Sequence, residues 1–476
     1  MPQPFKSQHL IGGEWLGDAD GERRNPASLD EVVSSFPAGS LDLLDQAISA
    51  AVLAAGQWAA TSAPTRGEIL SATADALSSR VDEAALLLCR EEGKTLSEAR
   101  DEVGRSTRMF RFYAGETWRF GGQVLPSMTP RTHLYTYREP LGVVGVITPW
   151  NFPIAIPVWK IAPALAAGNT VVFKPASAVP GIATLLAQCF VKAGLPDGVL
   201  NLVYGPGELI GEQLTRDQRV DGISFTGSTE VGTQVNTSGA ARMARVQLEL
   251  GGKNAMVALP DADPSIVAAL TAQSAFGVTG QACTAASRLI VLEENRDLVL
   301  DTLAEYTRSI TVGDGSAEGI GMGPVVSASQ LDSNEKHLAR AVRDGARLLT
   351  GGNSRGLFME PTILTDVNPK FEIAQEEVFG PILSVITVAT LDDAVAVANG
   401  TKFGLVAGII TDDLSAALHF VDRSKTGVVK VNRTTTGTDL NAPYGGIKGS
   451  SNDAYREQGI TAFEFYTRVK TAYIGF

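Results

Sequence analysis

Short runs of valine and isoleucine alternate with helical patterns over the central part of the chain. Residues 142–147, 170–173, 199–204 and 222–225 have the composition of buried strands, and segments long enough for helices separate them. Strands separated by helices of this length predict a parallel sheet covered on both faces, with ligands at the carboxyl ends of the strands. A second stretch of this kind extends from about residue 254 to 432, with strands over 287–292 and 427–431. The fold class is therefore α/β, with a second domain.

Two kinds of pattern flank these sheets. Residues 41–60 and 66–92 space their apolar positions as amphipathic helices lying on a core. Residues 121–138 and 463–474 alternate apolar and polar positions, which predicts strands able to pair with the edge of another chain. The second pattern indicates oligomerisation.

Residues 141–159 carry no charge and are long enough to cross a bilayer. Pro149, Pro153 and Pro157 recur every four residues, and each would remove a hydrogen bond from a membrane helix. The segment is instead predicted to be a buried strand followed by an irregular loop.

Length, net charge and cysteine content then narrow the class of protein. The 476 residues suit two or three domains. A net charge of -12 without a basic cluster argues against nucleic-acid binding. Three cysteines cannot form a disulfide framework, and residues 1–10 lack a signal-peptide pattern, so we expect a cytoplasmic protein.

Cys283 is the residue with the clearest chemical signal. It lies in residues 280–284, Gly-Gln-Ala-Cys-Thr, a glycine-rich setting that suits a reacting thiol. Cys89 and Cys189 lie in apolar helical stretches, where a free thiol behaves as a small buried hydrophobe. We therefore expect only Cys283 to react.

Three glycine- or lysine-marked turns are candidates for nucleotide contacts. Residues 225–232, Phe-Thr-Gly-Ser-Thr-Glu-Val-Gly, place a strand end before a helix start, which suits either a phosphate or a tight structural turn. Residues 205–207, Gly-Pro-Gly, suit the wall of an adenine pocket or a plain loop. Residues 174–177, Lys-Pro-Ala-Ser, put an ammonium group and a hydroxyl where a ribose would lie.

Glu249 lies between two leucines in residues 248–253. Desolvation would raise the pKa of such a carboxyl and suit it to act as a base near neutral pH. An ordinary surface ion pair is the alternative, and composition by itself favours the ion pair.

Six motifs in order closely resemble the aldehyde dehydrogenase superfamily. They are residues 150–153, 174–175, 225–228, 249–252, 280–283 and 376–381, and together they span essentially the whole chain. The resemblance implies a Rossmann-like dinucleotide-binding domain (1–121 and 140–250), an α/β catalytic domain (251–445) and a small β oligomerisation element (122–139 and 459–476). It also implies a homodimer or homotetramer.

The resemblance assigns roles at the site. Cys283 corresponds to the nucleophile that forms a thiohemiacetal and then a thioester. The Asn151 side chain and the Cys283 N–H would form the oxyanion hole, and Glu249 would activate the water that hydrolyses the thioester. Glu377 corresponds to the residue that holds the nicotinamide ribose, Phe379 packs beside the ring and Lys174 reaches the adenosine ribose. The implied cofactor cleft consists of Trp150, Lys174, Ser177, Gly207, Phe225, Gly227, Ser228, Leu250, Glu377 and Phe379.

No metal is required, since the four histidines lack ligand-like spacing. Ser177 bears on the choice of cofactor, because NAD-preferring relatives often carry a glutamate at this position. A glutamate would repel a 2′-phosphate, whereas Ser177 beside Lys174 would not. We therefore expect both NADP and NAD to be accepted, with NADP preferred.

Among small aldehydes, the resemblance is closest to semialdehyde dehydrogenases, particularly those acting on α-ketoglutarate semialdehyde (2,5-dioxopentanoate). The expected substrate contacts are Trp159, Thr284, Thr436 and Thr438, and the threonines of residues 434–439 would give hydroxyls to a polar substrate. Succinic semialdehyde is the nearest competitor, although two arginines that grip its carboxylate in many such enzymes are replaced by Trp159 and Gly277. The carboxylate then has no obvious partner, and Arg108 and Arg111 are candidates.

Three other functions stay open. A broad-specificity aldehyde dehydrogenase would use Trp159 as an apolar wall. A cofactor-binding relative without turnover is disfavoured by the joint presence of Cys283, Glu249 and Asn151. A CoA-acylating variant is disfavoured by Glu249, which suits hydrolysis.

Overall fold

The structure is a computed structural model, and it describes residues 3–476. The amino-terminal part combines short strands with four helices. Thr95 and Glu98 form a reciprocal capping box at the start of the fourth helix. The prediction of one continuous helical stretch over residues 66–92 is wrong in one respect, because the helix is interrupted at Ser79 and Arg80. The elements are β1 (Phe5–Lys6), β2 (His9–Ile11), β3 (Glu14–Leu16), β4 (Gly21–Asn25), β5 (Ser28–Phe36), α1 (Leu41–Ala60), α2 (Ala63–Ser78), α3 (Val81–Glu92) and α4 (Leu96–Glu116).

The next part alternates strands and helices, as the valine and isoleucine runs predict. Gly168, with φ of 97°, ends the helix that follows the first buried strand. The elements are β6 (Val124–Leu125), β7 (Thr132–Pro140), β8 (Val143–Ile147), α5 (Ala155–Ala167), β9 (Thr170–Lys174), α6 (Pro180–Lys192), β10 (Leu200–Leu202), α7 (Glu212–Arg216), β11 (Gly222–Thr226), α8 (Thr229–Ala240) and β12 (Arg245–Glu249).

The irregular loop expected through residue 159 is wrong beyond residue 154, because α5 begins at Ala155. Pro157 lies in the first turn of α5, where the backbone N–H has no partner in the helix, so proline costs little there. Among the described residues, no helix is both long and apolar enough to span a bilayer.

The remaining elements form a second large sheet, and the last strand of the chain belongs to a third, smaller sheet. Its elements are β13 (Asn254–Ala258), α9 (Pro264–Phe276), β14 (Ala286–Leu292), α10 (Arg296–Arg308), α11 (Ala328–Arg343), β15 (Arg347–Thr350), β16 (Ser354–Arg355), β17 (Phe358–Met359), β18 (Thr362–Thr365), α12 (Glu372–Gln375), β19 (Ile382–Val388), α13 (Leu391–Asn399), β20 (Phe403–Gly404), β21 (Val406–Ile410), α14 (Leu414–Arg423), β22 (Val428–Val431), β23 (Ile447–Lys448), α15 (Ala462–Tyr466) and β24 (Thr467–Gly475).

The first large sheet has the strand order β12-β11-β8-β9-β10-β2-β3. Strands β8 to β12 are parallel, and the two amino-terminal strands close one edge in antiparallel pairing. From β8 the chain first adds strands on one side and then crosses to the other side with β11. The order therefore reverses between β8 and β11, and such a reversal leaves a crevice at the carboxyl ends of the strands.

The second large sheet has the order β15-β18-β19-β14-β13-β21-β22, parallel except for β15. The chain enters it four residues after β12 ends. The carboxyl end of β12 in the first sheet therefore lies close to the amino ends of β13 and its neighbours in the second. At this junction, the loops that follow strands of the first sheet lie next to the loops that precede strands of the second sheet.

A third sheet, β24-β7-β6, lies apart from both. Strands β7 and β24 pair along nine residues each, from Thr132 opposite Gly475 to Pro140 opposite Thr467. Apolar side chains of this sheet are solvent-exposed, with Val124 of β6 87% exposed and Tyr473 and Val469 of β24 70% and 58% exposed. The strands predicted over 121–138 and 463–474 thus exist, although residues 462–466 form α15 and its aromatic side chains are buried in the core against α5.

Candidate functional site

The candidate site forms where the two large sheets face each other. Register pairs bring Ile147 of β8 beside Lys174 of β9 and beside Phe225 of β11, while Thr226 pairs with Glu249 of β12. The segments that follow these strands therefore emerge side by side. The strand ends and the segments that follow them carry the cofactor-cleft residues predicted before the second sheet, together with the catalytic candidates Asn151 and Glu249. The cleft residues are Trp150, Lys174, Ser177, Gly207, Phe225, Gly227, Ser228 and Leu250.

The second sheet contributes Cys283 and Glu377 from the opposite side. Cys283 lies just before β14, and Glu377 lies just before β19, so both are at amino ends of neighbouring strands. Asn254 fixes the cysteine loop, since its Nδ2 donates to the Cys283 carbonyl at 2.8 Å and to the Ala285 carbonyl at 2.9 Å. The site thus joins carboxyl ends of one sheet to amino ends of the other.

The backbone before Cys283 is strained. Val278 and Thr279 have φ of 51° and 57°, values that β-branched residues rarely adopt. Two tertiary hydrogen bonds hold this conformation: the Val278 N–H donates to Glu98 Oε1 at 2.7 Å, and Thr279 Oγ1 donates to the Gly323 carbonyl at 3.1 Å. Strain held in this way is typical of functional loops, because the surrounding structure has to compensate for it.

Cys283 is the one partly accessible thiol of the three, while Cys89 and Cys189 are buried. Burial raises the pKa of the Cys283 thiol to about 12, and the negative charges of Glu377 and Glu249 act in the same direction. Its Sγ lies 3.4 Å from the Tyr444 hydroxyl, which opposes that rise. The thiol is therefore protonated at neutral pH until a group beside it accepts the proton.

Asn151 lies in the turn after β8, close to the cysteine loop. Its Nδ2 donates to the Gln281 carbonyl at 2.9 Å, which leaves a second amide hydrogen free. The backbone carbonyl of Asn151 accepts a hydrogen bond from the buried Lys94 ammonium at 2.7 Å. In residues 3–476 the Cys283 N–H makes no hydrogen bond. Two donors thus remain for an oxygen held near Sγ.

Glu249 is buried, with 3% of its surface exposed. Neither of its carboxylate oxygens has a hydrogen-bond partner among the described residues, which excludes the surface ion pair. Desolvation is the largest cause of a strongly raised pKa for this carboxyl, and the charge of Glu457 raises it further. A buried carboxyl with no structural partner and a raised pKa suits proton transfer near neutral pH.

Lys160 and Glu457 form a buried ion pair beside this carboxyl. Lys160 Nζ also donates to Ser224 Oγ at 2.9 Å, and its charge opposes the rise in the pKa of Glu249. Sequence reasoning missed the pair. A signal was present, because Lys160 is the one charged residue in the apolar helix α5, and a buried lysine requires a partner.

Unpartnered polar atoms cluster at this end of the first sheet. Thr148 Oγ1, Asn151 Oδ1, Thr226 Oγ1 and both oxygens of Glu249 are buried without a hydrogen-bond partner in the part of the chain that the structure describes. Buried polar atoms are rarely left unpaired in folded proteins. Their concentration here indicates that ligand or water completes the site.

The residues present fit a dinucleotide. Gly207 begins a short π-helical turn, residues 207–211, and a Cβ there would meet nothing within 4 Å, so the backbone is open to a close ligand. Gly227 and Ser228 precede α8, whose first turn offers N–H groups to a phosphate, although Ser228 Oγ already caps the Val231 N–H at 3.3 Å.

The charged candidates also fit. Lys174 Nζ is buried and, among the described residues, donates only to the Pro175 carbonyl at 3.0 Å; desolvation lowers the pKa of Lys174 to about 8. Ser177 is exposed in the turn before α6. Glu377 Oε1 accepts the Gly252 N–H at 2.9 Å, and desolvation raises the pKa of Glu377 to about 7. Phe379 meets the Trp150 ring edge to face, with ring centroids 5.4 Å apart.

A cavity of about 780 Å³ opens onto Cys283. The structure brings the four expected substrate contacts into its wall, namely Trp159, Thr284, Thr436 and Thr438, together with Gly277. Arg108 and Arg111 do not line it; both are exposed, and Arg111 pairs with Asp75 at 3.0 Å. Arg105, one helical turn earlier, lines the cavity instead. Sequence reasoning missed Arg105 and Tyr444.

The model of the Aldehyde dehydrogenase family matches residues 15–472. The chain is 44% identical to the alpha-ketoglutarate semialdehyde dehydrogenase of Haloferax volcanii, over 98% of each chain. It is 42% identical to the 2,5-dioxopentanoate dehydrogenase of Saccharolobus solfataricus, over 99% of this chain and all of the relative.

Solved structures agree with the fold. An NAD-dependent aldehyde dehydrogenase from Sinorhizobium meliloti superposes with a TM-score of 0.96 at 35% identity, over 99% of this chain and 95% of that one. An NADP-dependent enzyme from E. coli gives the same TM-score and identity, over 99% of this chain and 98% of that one. The predicted α/β fold class is confirmed.

Proposed function

The chain belongs to the aldehyde dehydrogenase family, and on that premise we propose that it oxidises α-ketoglutarate semialdehyde (2,5-dioxopentanoate) to α-ketoglutarate with NADP or NAD. The observation that carries the choice of substrate is the name shared in substance by two full-length relatives at 44% and 42% identity. The polar wall of the cavity, with Thr284, Thr436 and Thr438, supports the same choice.

The first step is the attack of Cys283 Sγ on the aldehyde carbon. The thiol first loses its proton, and we propose Glu249 as the base that accepts it, since its buried carboxyl has no hydrogen-bond partner among the described residues and its charge is one of those that act on the thiol pKa. The aldehyde oxygen becomes an alkoxide as the C–S bond forms. The Cys283 N–H and the free amide hydrogen of Asn151 stabilise this charge, since removal of one such donor slows acyl chemistry by about 10² to 10³.

When bound, a nicotinamide cofactor would supply the hydride acceptor for oxidation of the thiohemiacetal to a thioester. Glu377 would hold the ribose side of the cleft, and Phe379 and Trp150, whose rings are in contact, would confine the nicotinamide ring. Glu249 then removes a proton from a water molecule, which adds to the thioester carbonyl. Collapse of that adduct breaks the C–S bond and returns the thiol. The balance is one aldehyde, one water and one oxidised cofactor to one acid and one reduced cofactor, with protons released.

We propose that NADP is the preferred cofactor, because Ser177 places no carboxylate beside Lys174. We also propose the domain division given above: residues 1–121 and 140–250 bind the dinucleotide, 251–445 form the catalytic domain, and 122–139 with 459–476 form the oligomerisation element. The exposed apolar residues of β6, β7 and β24 support a homodimer or homotetramer. Three free thiols support a cytoplasmic location.

Initial rates of NADPH and NADH formation test the proposal. We expect α-ketoglutarate semialdehyde with NADP to give the highest kcat/KM in a panel that includes succinic semialdehyde and pentanal. A higher kcat/KM for either competitor would refute the substrate. Ser177→Glu should shift the preference toward NAD, and an unchanged NADP/NAD ratio in that variant would refute the cofactor argument. Glu376→Gln, at an exposed carboxylate paired with Lys402, is the matched control.

A further inference from the structure

Arg105 carries a charge in the cavity wall that forms no ion pair with any carboxylate among the described residues. It lies on α4 and lines the cavity that contains Cys283. Its Nη2 donates to Thr438 Oγ1 and, at 3.2 Å, to Gln458 Oε1. Within residues 3–476 it forms no ion pair closer than 4.0 Å, and its Nε is buried without an acceptor. Desolvation lowers the pKa of Arg105, which shows that burial opposes its charge.

The acidic residues nearby already have other partners. Glu102 accepts from Lys94 Nζ at 2.6 Å and from the N–H groups of Ile154 and Ala155, each at 3.0 Å. Glu98 accepts from the Val278 N–H through Oε1 and from Thr95 through Oε2. Asp101 is exposed. Buried charges in proteins are normally paired, so the guanidinium of Arg105 lacks the partner that its surroundings require.

The guanidinium is also held in place. Thr438 Oγ1 accepts from Arg105 and lies 3.2 Å from Gln458 Oε1, so the three side chains form one cluster. All of these contacts use Nη2, which leaves Nη1 without an acceptor in the described residues. A planar guanidinium fixed on one side and free on the other is suited to bind a carboxylate.

We propose that Arg105 binds the carboxylate of the substrate, while the aldehyde at the other end reaches Cys283. The inference rests on the proposed function, because it names the group that recognises the acid end of a semialdehyde. It also changes the role of Thr438, whose hydroxyl positions Arg105 and is therefore not free to bind the substrate. Trp159 and Gly277 then form uncharged parts of the same wall.

The test compares wild type with Arg105→Gln on three aldehydes: α-ketoglutarate semialdehyde, succinic semialdehyde and pentanal. Removal of one partner of a buried charge pair reduces binding by about 30-fold or more. We expect kcat/KM for the two acid aldehydes to fall by about that factor, mainly through KM. The activity on pentanal should fall far less. Arg105→Lys should restore part of the loss, and Arg108→Gln, on the exposed face of the same helix, should change none of the three rates.

A measurement on the wild type keeps the test valid if Arg105→Gln folds poorly. Pentanoate should inhibit competitively against the aldehyde at least about 30-fold more strongly than pentanamide, because only pentanoate offers a carboxylate. Equal inhibition by the two compounds would overturn the proposal. Where the variant folds, this difference should disappear in it.

The outcomes separate the two proposals. If the wild type prefers α-ketoglutarate semialdehyde and Arg105→Gln retains that preference over pentanal, the carboxylate site is wrong and the proposed function stands. If the wild type prefers succinic semialdehyde and the variant loses activity on both acid aldehydes, the site stands and the proposed substrate is wrong. An equal fall for all three aldehydes would show a merely structural role and overturn the site.

Discussion

Replacement of Glu249 by glutamine separates the two halves of the reaction. The carboxyl is buried, and neither oxygen has a hydrogen-bond partner in the described chain. Desolvation and Glu457 disfavour its charge more than Lys160 and Arg456 favour it. Glutamine has nearly the same shape but cannot accept a proton at this position. We therefore expect Glu249→Gln to fold at least as stably as wild type, since the cost of desolvating a carboxylate is removed.

The magnitude follows from the role. A positioned general base contributes about 10² to 10⁴ in rate, which corresponds to about 3 to 5 kcal/mol of barrier. Glu249 can act twice, on the Cys283 thiol and on the hydrolytic water. Because even a thiol with its pKa raised to about 12 ionises far more readily than water, whose pKa is about 15.7, the loss should fall mainly on hydrolysis of the thioester.

The assay is rapid mixing of enzyme and oxidised cofactor with aldehyde, with the reduced cofactor followed with time. We expect a burst of about one reduced cofactor per Cys283 and then a steady rate reduced by about 10² to 10⁴. Cys283→Ser should show neither phase, and the exposed Glu376→Gln should behave as wild type. A slow steady rate with no burst would refute the reasoning, because Glu249 would then limit attack by the thiol instead of hydrolysis.

Two further predictions follow from the titrating groups. Native protein should consume one equivalent of iodoacetamide at Cys283, and the rate should rise about tenfold per pH unit between about pH 7 and 9 because the thiol pKa is raised to about 12. Cys283→Ser should abolish this reaction, and unfolding should make Cys89 and Cys189 reactive as well. Reaction of all three thiols in the native protein would contradict the burial of Cys89 and Cys189. Desolvation lowers the pKa of Lys253 to about 7, below the unfolded value of about 10.4, so between these values the unfolded chain binds more protons than the folded one. The free energy of unfolding should therefore rise with pH by up to about 1.4 kcal/mol per unit in this range. Urea midpoints measured across the range should rise less in Lys253→Met, and parallel curves for the two proteins would show that Lys253 is charged in the folded state.

Regular elements with a strong local signal could be predicted from the sequence. The strands β8, β9 and β11 follow the valine and isoleucine runs, and α1 spans the predicted residues 41–60. The break between α2 and α3 and the start of α5 were predicted wrongly. At α5 the error has a physical cause, because proline in the first turn of a helix costs little, and spacing alone does not show where a helix begins.

Site residues could be predicted from the sequence where they lie within short, recognisable motifs. Cys283 and Glu249 lie in short motifs, and glycine marks the turns of the cofactor cleft. Arg105 lies in no such motif, since its contact with Thr438 joins positions that are 333 residues apart. Arg105, Arg108 and Arg111 are spaced by three residues on one helix, and only packing decides which of them faces the cavity.

The groups that chemistry requires are those that folding alone would not select. Leucine at position 249 would avoid the burial of an unpaired carboxyl, glycine at 278 would relieve a positive φ, and an apolar residue at 105 would avoid a half-buried cation that has no ion-pair partner among the described residues. Hydrogen bonds from Val278 and Thr279 hold the strained loop, whereas Glu249 and Arg105 gain a partner only from a reacting molecule: water or thiol for Glu249 and a carboxylate for Arg105. Val278 and Arg105 line the cavity that contains Cys283, and the charge of Glu249 acts on the pKa of the same thiol, so a common ligand accounts for these departures better than independent defects. A semialdehyde has the two ends that such a ligand needs, an aldehyde for Cys283 and a carboxylate for Arg105.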